Sequence, residues 1–400
     1  MIELFTDPLI LGLVLLGTIL GITVGAVPGL TGTMLIALSL PLTFSMEPVA
    51  GLVLLVAMYV GAVSGGLISA TLLRMPGTPA AVMTTLDGYP MASSGRPGRA
   101  LGLGVGASLF GGLISWLALW QLSEPMADWS TKLGPWELFS LVVLALALLA
   151  GVGDSTRARG LLAGGLGVLV AMPGMHPATG ELRWTLGMTS MNEGFRLIPV
   201  LIGMFAIGKI LEDLTGKEGE VEKVSGKDSA WIPFGVWKKQ LINLFRSSGI
   251  GTLIGVLPGV GANIGSLAAY MAAKRASRQP DEFGKGSEEG IVASESANNA
   301  TVGGALIPLI ALGVPGSVIG AVLLGALIVH GLQPGPLLFR QNPEAVHAII
   351  GTVLTANVLM FLVMLGFARW IAKLSFVPKK ILFPLVAGCC IWGAYALNGL

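Results

Sequence analysis

The sequence has few charged residues, and this shortage excludes most soluble folds. Charged side chains make up 12% of the 400 residues, about half of what soluble domains carry. The net charge of +2 at pH 7 gives no electrostatic footprint for a nucleic acid. The two cysteines, Cys389 and Cys390, are adjacent in an apolar run, which excludes a disulfide framework and a paired-cysteine zinc site. The N-terminus lacks the basic region of a cleaved signal, so we expect the first hydrophobic segment to be retained.

Hydrophobic residues dominate what is present. They make up 53% of the chain, and the mean hydropathy is +0.80. A membrane-spanning helix needs about 20 mostly apolar residues. The continuous candidates are 49–63, 100–120, 137–152, 159–173, 194–212, 345–367 and 381–400. The sequence therefore predicts an all-α polytopic membrane protein.

A Pro-Gly pair occurs at equivalent places in the two halves of the chain. The segment 21–32, which contains Pro28-Gly29, resembles the segment 251–262 at an offset of 230 residues. A second pair of matching breaks follows, at Pro76-Gly77 and Pro315-Gly316. Proline removes a backbone donor and glycine permits unusual dihedral angles, so each break predicts an interrupted helix. Broken helices at matching places are typical of secondary transporters, in which the binding site lies between the repeats.

Each break lies near the centre of an apolar segment that is predicted to be a broken helix or a re-entrant hairpin. These segments are 9–44, 64–92, 247–273 and 303–332. Basic residues gather at 96–99, in 213–246 and at 274–278, whereas other loops have fewer of them. The positive-inside rule places the basic loops in the cytoplasm. The hairpins of the two halves then enter from opposite sides, which predicts an inverted structural repeat.

Three regions follow from this organisation. Residues 1–212 form the first membrane repeat, and 247–400 form the second. Residues 213–246 form a cytoplasmic linker, of which 231–246 is predicted to be an interfacial amphipathic helix. After its breaks the second repeat has fewer hydrophobic segments than the first. By symmetry we expect about 50–100 further residues of membrane domain beyond residue 400.

Residues at and after the breaks are candidates for substrate contact. A half-helix that begins inside the membrane offers backbone N–H groups and a partial positive charge. Two facing N-termini can therefore hold a carboxylate without a buried Arg or Lys. The candidate substrate-binding residues are Pro28, Gly29, Thr31, Gly32, Thr33, Pro76, Gly77, Thr78, Pro258, Gly259, Gly261, Ala262, Asn263, Pro315, Gly316 and Ser317. Helix packing is the alternative role for small residues, and it is the role expected for Gly21, Gly25, Gly251 and Gly255.

Polar residues on an apolar stretch of the second half are candidates for binding a coupling ion. They are Ser294, Ser296, Asn298 and Asn299. Hydroxyl and amide oxygens suit Na⁺, a hard cation, and hydrogen bonding between helices is the alternative role. Glu295 and Asp87 are further candidates, including as proton carriers, although an ion pair with Arg96 is the simpler role for Asp87. No other metal and no organic cofactor is predicted, and Na⁺ and H⁺ both stay open.

Several motifs resemble the large membrane (permease) subunit of tripartite tricarboxylate transporters. They are Gly251–Ala262, Ser294–Ala300, Gly303–Pro308, Gly313–Ser317, Gly25–Gly32, Pro41–Phe44 and Leu86–Met91. The resemblance runs along the whole chain and implies import of a carboxylate, such as citrate, with an ion gradient as the driving force. It also implies a small four-helix membrane subunit and a periplasmic solute-binding protein as partners, and a location in the bacterial inner membrane.

Two other functions are alternatives to transport by alternating access. An anion channel would line its pore with a ring of like groups, expected from a symmetric oligomer, whereas the internal repeat already supplies two facing gates. An intramembrane hydrolase would need a Ser/His or Asp/Asp pair at helical spacing, and the sequence has neither this nor a metallohydrolase motif. The sequence therefore favours a transporter over an enzyme. It does not identify which carboxylate is carried.

Overall fold

The computed structural model describes residues 7–152, 157–176, 179–215 and 228–374, together with 384, 386–388, 391 and 395. Within these residues the chain is almost entirely helical, so the predicted all-α class is confirmed. Four helices are long and apolar enough to cross a membrane: Pro8–Ala26, Pro48–Leu72, Pro97–Ser130 and Pro343–Ala368. Residues 216–227 of the predicted linker and most of the last hydrophobic segment, with Cys389 and Cys390, lie outside the described residues.

The helices are numbered in chain order. The first half contains α1 (Pro8–Ala26), α2 (Gly32–Thr43), α3 (Pro48–Leu72), α4 (Val82–Ser93), α5 (Pro97–Ser130), α6 (Pro135–Val152), α7 (Arg157–Ala171), α8 (Leu197–Ile202) and α9 (Gly208–Thr215). The second half contains α10 (Phe234–Val256), α11 (Gly261–Ala276), α12 (Glu288–Leu312), α13 (Val318–Val329), α14 (Pro336–Gln341) and α15 (Pro343–Leu374).

Short elements connect these helices. A 3₁₀ turn (Pro79–Ala81) precedes α4, two others are Thr189–Met191 and Pro280–Glu282, and a π-helical turn (Gly203–Ile207) joins α8 to α9. The strands β1 (Gly174–Met175) and β2 (Leu182–Arg183) form an antiparallel pair between α7 and α8.

The predicted breaks interrupt the helices at all four places. The chain leaves the helix at Pro28-Gly29, between α1 and α2, and at Pro258-Gly259, between α10 and α11. Gly29 and Gly259 have φ values of 94° and 75°, which only glycine adopts without strain. The other two breaks separate α3 from the 3₁₀ turn before α4, and α12 from α13.

Helix continuity differs from the prediction in three places. The predicted segment 49–63 and the first part of the predicted segment 64–92 form one helix, because α3 continues to Leu72 before the chain breaks. In the same way α12 continues across 291–302 into 303–312. The interfacial helix predicted at 231–246 is the first half of α10, so the boundary drawn at 246/247 falls inside a helix. Gly65-Gly66 in α3 and Gly303-Gly304 in α12 do not end their helices. They lie where neighbouring segments pack closely against these helices.

Glycine allows two helix pairs to pack with their backbones almost in contact. A Cβ atom at Gly21 or Gly25 of α1 would meet the carbonyl oxygen of Met58 or Ala62 in α3. A Cβ atom at Gly251 or Gly255 of α10 would meet the carbonyl oxygen of Ala297 or Thr301 in α12. The packing role expected for these four glycines is therefore confirmed. The contacts in one half correspond to those in the other. The glycines of α1 and α10 correspond at an offset of 230 residues, and their partners in α3 and α12 at 239, which is also the offset between Pro76 and Pro315.

The second break of each half packs against the first in the same way. A Cβ atom at Gly77 would meet the carbonyl oxygen of Gly25 and the Cα of Gly66. One at Gly316 would meet the carbonyl oxygen of Gly255 and the Cα of Ala305. These two glycines bring the breaks of each half together.

The four half-helices extend towards two different ends of the molecule. α2 and α13 end side by side, where Thr43 Oγ1 and His330 Nε2 lie 3.0 Å apart beside Gly51 of α3. α4 runs beside Thr71, near the other end of α3, about 30 Å from Gly51 at 1.5 Å per residue. α11 accompanies α4, since Tyr270 Oη donates to Asp87 Oδ2 at 2.8 Å.

This arrangement is what an inverted repeat would produce. The inversion across a membrane stays a prediction, because it depends on the charges of the loops. α6 and α7 lie at the periphery, pack on each other and expose large apolar side chains such as Trp136, Phe139 and Leu162. Exposed apolar area of this kind is suited to lipid contact.

We predict that Gly21→Ala destabilises the protein, because the new methyl group would collide with backbone atoms of Met58 and Gly61. Overpacking of this kind costs about 1–3 kcal/mol. Gly12→Ala is the matched control on the same helix, since no atom lies within 4 Å of its Cβ position. Thermal unfolding of the purified protein measures both variants. Equal melting temperatures for the two variants would contradict the close approach of α1 and α3.

Candidate functional site

A cavity of about 560 Å³ lies where four helical segments begin. Each segment contributes its capping residue and the residues that follow it. They are Thr31–Thr33 of α2, Thr78–Ala80 of the turn before α4, Gly259–Asn263 at α11 and Ser317–Ile319 of α13. The wall is completed by Tyr59, Ala62 and Val63 of α3 and by Met204, Phe205, Gly208, Lys209 and Glu212 around α9. Cavities of this size accommodate small metabolites.

Two of the four N-termini are capped by their own hydroxyl groups. Thr31 Oγ1 accepts from the backbone N–H of Met34 at 3.1 Å, and Ser317 Oγ accepts from that of Gly320 at 3.0 Å. Ser317 Oγ also lies 3.1 Å from Tyr59 Oη. α11 and the turn before α4 have no side-chain cap. All four N-termini direct their partial positive charge at the same space.

The hydroxyl group of Thr78 has no protein partner in the described structure. Its Oγ1 atom is buried, and the residue lines the cavity. A buried hydroxyl that is left without a hydrogen bond costs free energy. The Oγ1 atom faces Gly66 of α3 and is shielded from the cavity, so a ligand or a water in the cavity reaches it only after the side chain rotates.

The predicted substrate-binding residues fall into two groups. Those that line the cavity are Thr31, Gly32, Thr33, Thr78, Gly259, Gly261, Ala262, Asn263 and Ser317. Those that do not line it are Pro28, Gly29, Pro76, Gly77, Pro258, Pro315 and Gly316. The second group forms the turns themselves, and for Gly77 and Gly316 the close contacts favour packing.

Sequence reasoning missed the part of the cavity wall that lies away from the four breaks. Tyr59 gave no signal because a single tyrosine in an apolar helix has the composition of a core residue. Lys209 could have been found, because a charged residue within the predicted apolar segment 194–212 is a functional candidate by default.

The predicted ion-coupling residues lie on α12 and are fully or almost fully buried. Their neighbour Glu295 is buried as well and accepts hydrogen bonds from Thr84 Oγ1 of α4 at 2.5 Å and Ser108 Oγ of α5 at 3.1 Å. Ser294 Oγ lies 3.1 Å from Thr84 Oγ1. The cluster joins α4, α5 and α12 through the core of the protein.

Asn299 extends this cluster to α3. Its Nδ2 donates to Ser108 Oγ at 2.8 Å, and its Oδ1 accepts from Ser64 Oγ at 2.6 Å. Asn298 donates to the carbonyl oxygen of Val63 at 3.4 Å, while its own Oδ1 is buried without a partner among the described residues. Ser296 bonds only weakly within its own helix, to Ala293 at 3.4 Å. The interhelical hydrogen bonds that were the alternative role are therefore present for Ser294, Asn298 and Asn299.

Comparison with known proteins agrees with this architecture. Residues 11–400 match the tripartite tricarboxylate transporter TctA family. The chain belongs to this family. It is 33% identical over 384 residues to an uncharacterised 52.8 kDa protein in the TAR-I ttuC' 3'region of Agrobacterium vitis, covering 96% of this chain and 76% of the relative. It is 36% identical over 148 residues to an uncharacterised protein in the TAR-II ttuC' 3'region of the same organism, covering 37% of this chain and 61% of that protein. No solved structure matches the chain.

Membership of a TctA transporter family, together with four helices apolar enough to cross a membrane, identifies a membrane protein of a transport system. It favours transport over the hydrolase alternative. The family also places the chain among permease subunits of tripartite systems.

Asp87 of this TctA-family protein forms a contact that differs from the expected ion pair with Arg96. The carboxylate is fully buried, and its Oδ1 accepts from the backbone N–H groups of Gly284, Gly286 and Ser287 at 2.8–2.9 Å. Its Oδ2 accepts from Tyr270. The glycines at 284 and 286 have positive φ values, which turn successive N–H groups inwards to surround an anion. Asp87 therefore fastens α4 to the α11–α12 loop.

We predict that Asp87→Ala destabilises the protein strongly, because three backbone donors would lose their acceptor. A buried donor without a partner costs about 1–3 kcal/mol, and this applies to the buried Ser287, whereas solvent can satisfy the exposed Gly284. Tyr270→Phe is the matched variant, since it removes one donor from Asp87 and leaves the loop contacts in place; we expect a smaller loss. Thermal unfolding measures both. An Asp87→Ala protein as stable as Tyr270→Phe would show that the loop does not depend on this carboxylate.

Proposed function

We propose that this chain is the permease subunit that imports a carboxylate of the di- or tricarboxylate class across the bacterial inner membrane. The observation that carries the proposal is the convergence of four helical N-termini on one cavity. Partial positive charges and backbone N–H groups at helix N-termini bind carboxylates. Donor side chains at Thr33, Thr78, Asn263 and Ser317 complete the site.

Two features support alternating access as the mechanism. The cavity lies between the two halves, and two of its half-helices, α2 and α13, extend to one end while α4 and α11 extend to the other. Each pair combines one helix from each half. Separation of one pair would open the cavity to one side of the membrane, and separation of the other pair would open it to the opposite side.

The cluster on α12 is proposed to couple transport to an ion gradient, with Na⁺ or H⁺ as the ion. Asn298 Oδ1 is buried without a described partner, next to Val63, which lines the cavity. An amide oxygen in this position could serve as a ligand for Na⁺. Glu295 lies on the same helix and would hold the proton in the alternative case.

Two protein partners complete the proposed system. A small membrane subunit would pack on lipid-facing helices, and a periplasmic solute-binding protein would dock on the outer loops and deliver the substrate. Both proposals rest on family membership. The specificity for one carboxylate would then be shared between the binding protein and the cavity.

Vesicles that contain the complete transporter test the proposal. We expect saturable uptake of a carboxylate that needs the binding protein and is driven by an imposed gradient of Na⁺ or of H⁺, each applied separately. Non-saturable flux in both directions would support the channel alternative instead. Full-rate uptake by the permease alone at micromolar substrate would contradict the tripartite arrangement.

We predict that Thr33→Ala and Asn263→Ala weaken binding of the substrate. The two residues correspond at the offset of 230 residues, and both line the cavity from the first turn of a half-helix. The loss of a donor to an ionised group costs roughly 1.5–3 kcal/mol, or about ten- to a hundredfold in affinity. Titration calorimetry with a panel of carboxylates measures the effect.

Ser39→Ala is the control for this pair, because Ser39 is a buried residue of α2 that does not line the cavity. We expect unchanged affinity in this variant. If folded Thr33→Ala and Asn263→Ala proteins both bound the substrate with wild-type affinity, these residues would serve helix packing and not substrate binding.

A further inference from the structure

The π-helical turn at Gly203–Ile207 places a charged residue on the cavity wall. This turn interrupts the helical path between α8 and α9 and is directly followed by Gly208 and Lys209. A π-helical turn contains one residue more than an α-helical turn, so it rotates the following residues about the helix axis. Met204, Phe205, Gly208 and Lys209 all line the cavity.

Lys209 is the one cation among the described residues that line this cavity, and Glu212 is the one anion. Lys209 Nζ lies 3.0 Å from Glu212 Oε2, with three residues of spacing along α9. The lysine side chain is 24% exposed, whereas the glutamate side chain is 72% exposed. The lysine therefore faces the cavity, and its partner extends into solvent at the edge.

An ion pair of this kind is weak enough to be exchanged. Pairs with an exposed partner are screened by solvent and contribute little to stability. A carboxylate bound inside the cavity would meet the same ammonium group with less screening, since interactions strengthen away from bulk water. The helix N-termini supply only partial charges, so a substrate with several carboxylates still needs a full counter-charge.

We propose that Lys209 is a specificity-determining residue of the cavity: its ammonium group takes a second carboxylate of the substrate and releases Glu212. This inference rests on the proposed function. Recognition of a polycarboxylate is then divided between two parts of the cavity. One carboxylate lies at the helix N-termini, and another binds to Lys209 at the wall, while Glu212 neutralises the lysine when the cavity is empty.

The alternative role for the pair is support of α9, as for any charged pair at this spacing. Arg196 and Glu193 form a charged pair at the same spacing in the loop before α8, at 2.7 Å and with both side chains exposed, and neither residue lines the cavity. The two roles predict different effects on substrate binding. If the pair only supports the helix, loss of either side chain has the same effect. If the substrate displaces Glu212, loss of Lys209 weakens binding and loss of Glu212 strengthens it.

The test measures binding to the full-length protein in lipid nanodiscs by titration calorimetry. Citrate, succinate and benzoate serve as probes with three, two and one carboxylate groups. The variants are Lys209→Gln, Glu212→Gln and the double variant, with Glu193→Gln as the matched control.

We expect Lys209→Gln to weaken binding of the best polycarboxylate by about ten- to a hundredfold and to change benzoate binding by less than about twofold. Glu212→Gln should tighten polycarboxylate binding by up to about fivefold, because it removes the competing carboxylate. In the Lys209→Gln background, Glu212→Gln should have no effect. Glu193→Gln should leave the affinity unchanged.

Several results would overturn the inference. Equal weakening of binding by Lys209→Gln and Glu212→Gln would show that the pair only supports the helix. If the wild-type protein bound none of the probes, the proposed function would fail and this inference with it. Binding to the wild type with unchanged affinity in Lys209→Gln would reject the inference alone.

Discussion

The structure depends on one constraint, which is that backbone polar groups inside a membrane need partners. An interrupted helix exposes N–H groups that lipid cannot satisfy. The chain interrupts its helices at four places, and all four N-termini meet at one cavity. A polar cavity within the protein therefore gives these N–H groups a place to find the hydrogen-bond partners that an unbroken helix would supply. The same groups that require this space give it affinity for an anion.

Close packing of the backbones holds the breaks in position. α3 and α12 are long helices, and the first broken helix of each half lies against one of them with glycine at the contact. The two scaffolds differ in chemistry, because α3 is almost wholly apolar whereas α12 carries Ser294–Asn299 in its centre. The halves are thus alike in geometry and unlike in polarity. This difference confines the candidate ion-coupling cluster to one side of the pseudo-symmetric arrangement.

The sequence predicted the helical class and the positions of the breaks, because Pro28-Gly29 and Pro258-Gly259 act through local backbone geometry. It also predicted much of the cavity wall, since the residues after a break lie at a helix N-terminus. It did not predict Tyr59 or Lys209, whose role follows from tertiary packing and from a π-helical turn. The contacts of Asp87 were missed for the same reason, because the donors to its carboxylate are N–H groups almost 200 residues away.

The most direct test of this account is a cryo-electron microscopy structure of the protein saturated with a carboxylate that it transports. The account predicts density for the ligand in the central cavity, with one carboxylate within hydrogen-bonding distance of the N-termini of α2 and α11. Density for the ligand at any other place, with lipid or water alone between these N-termini, would contradict it.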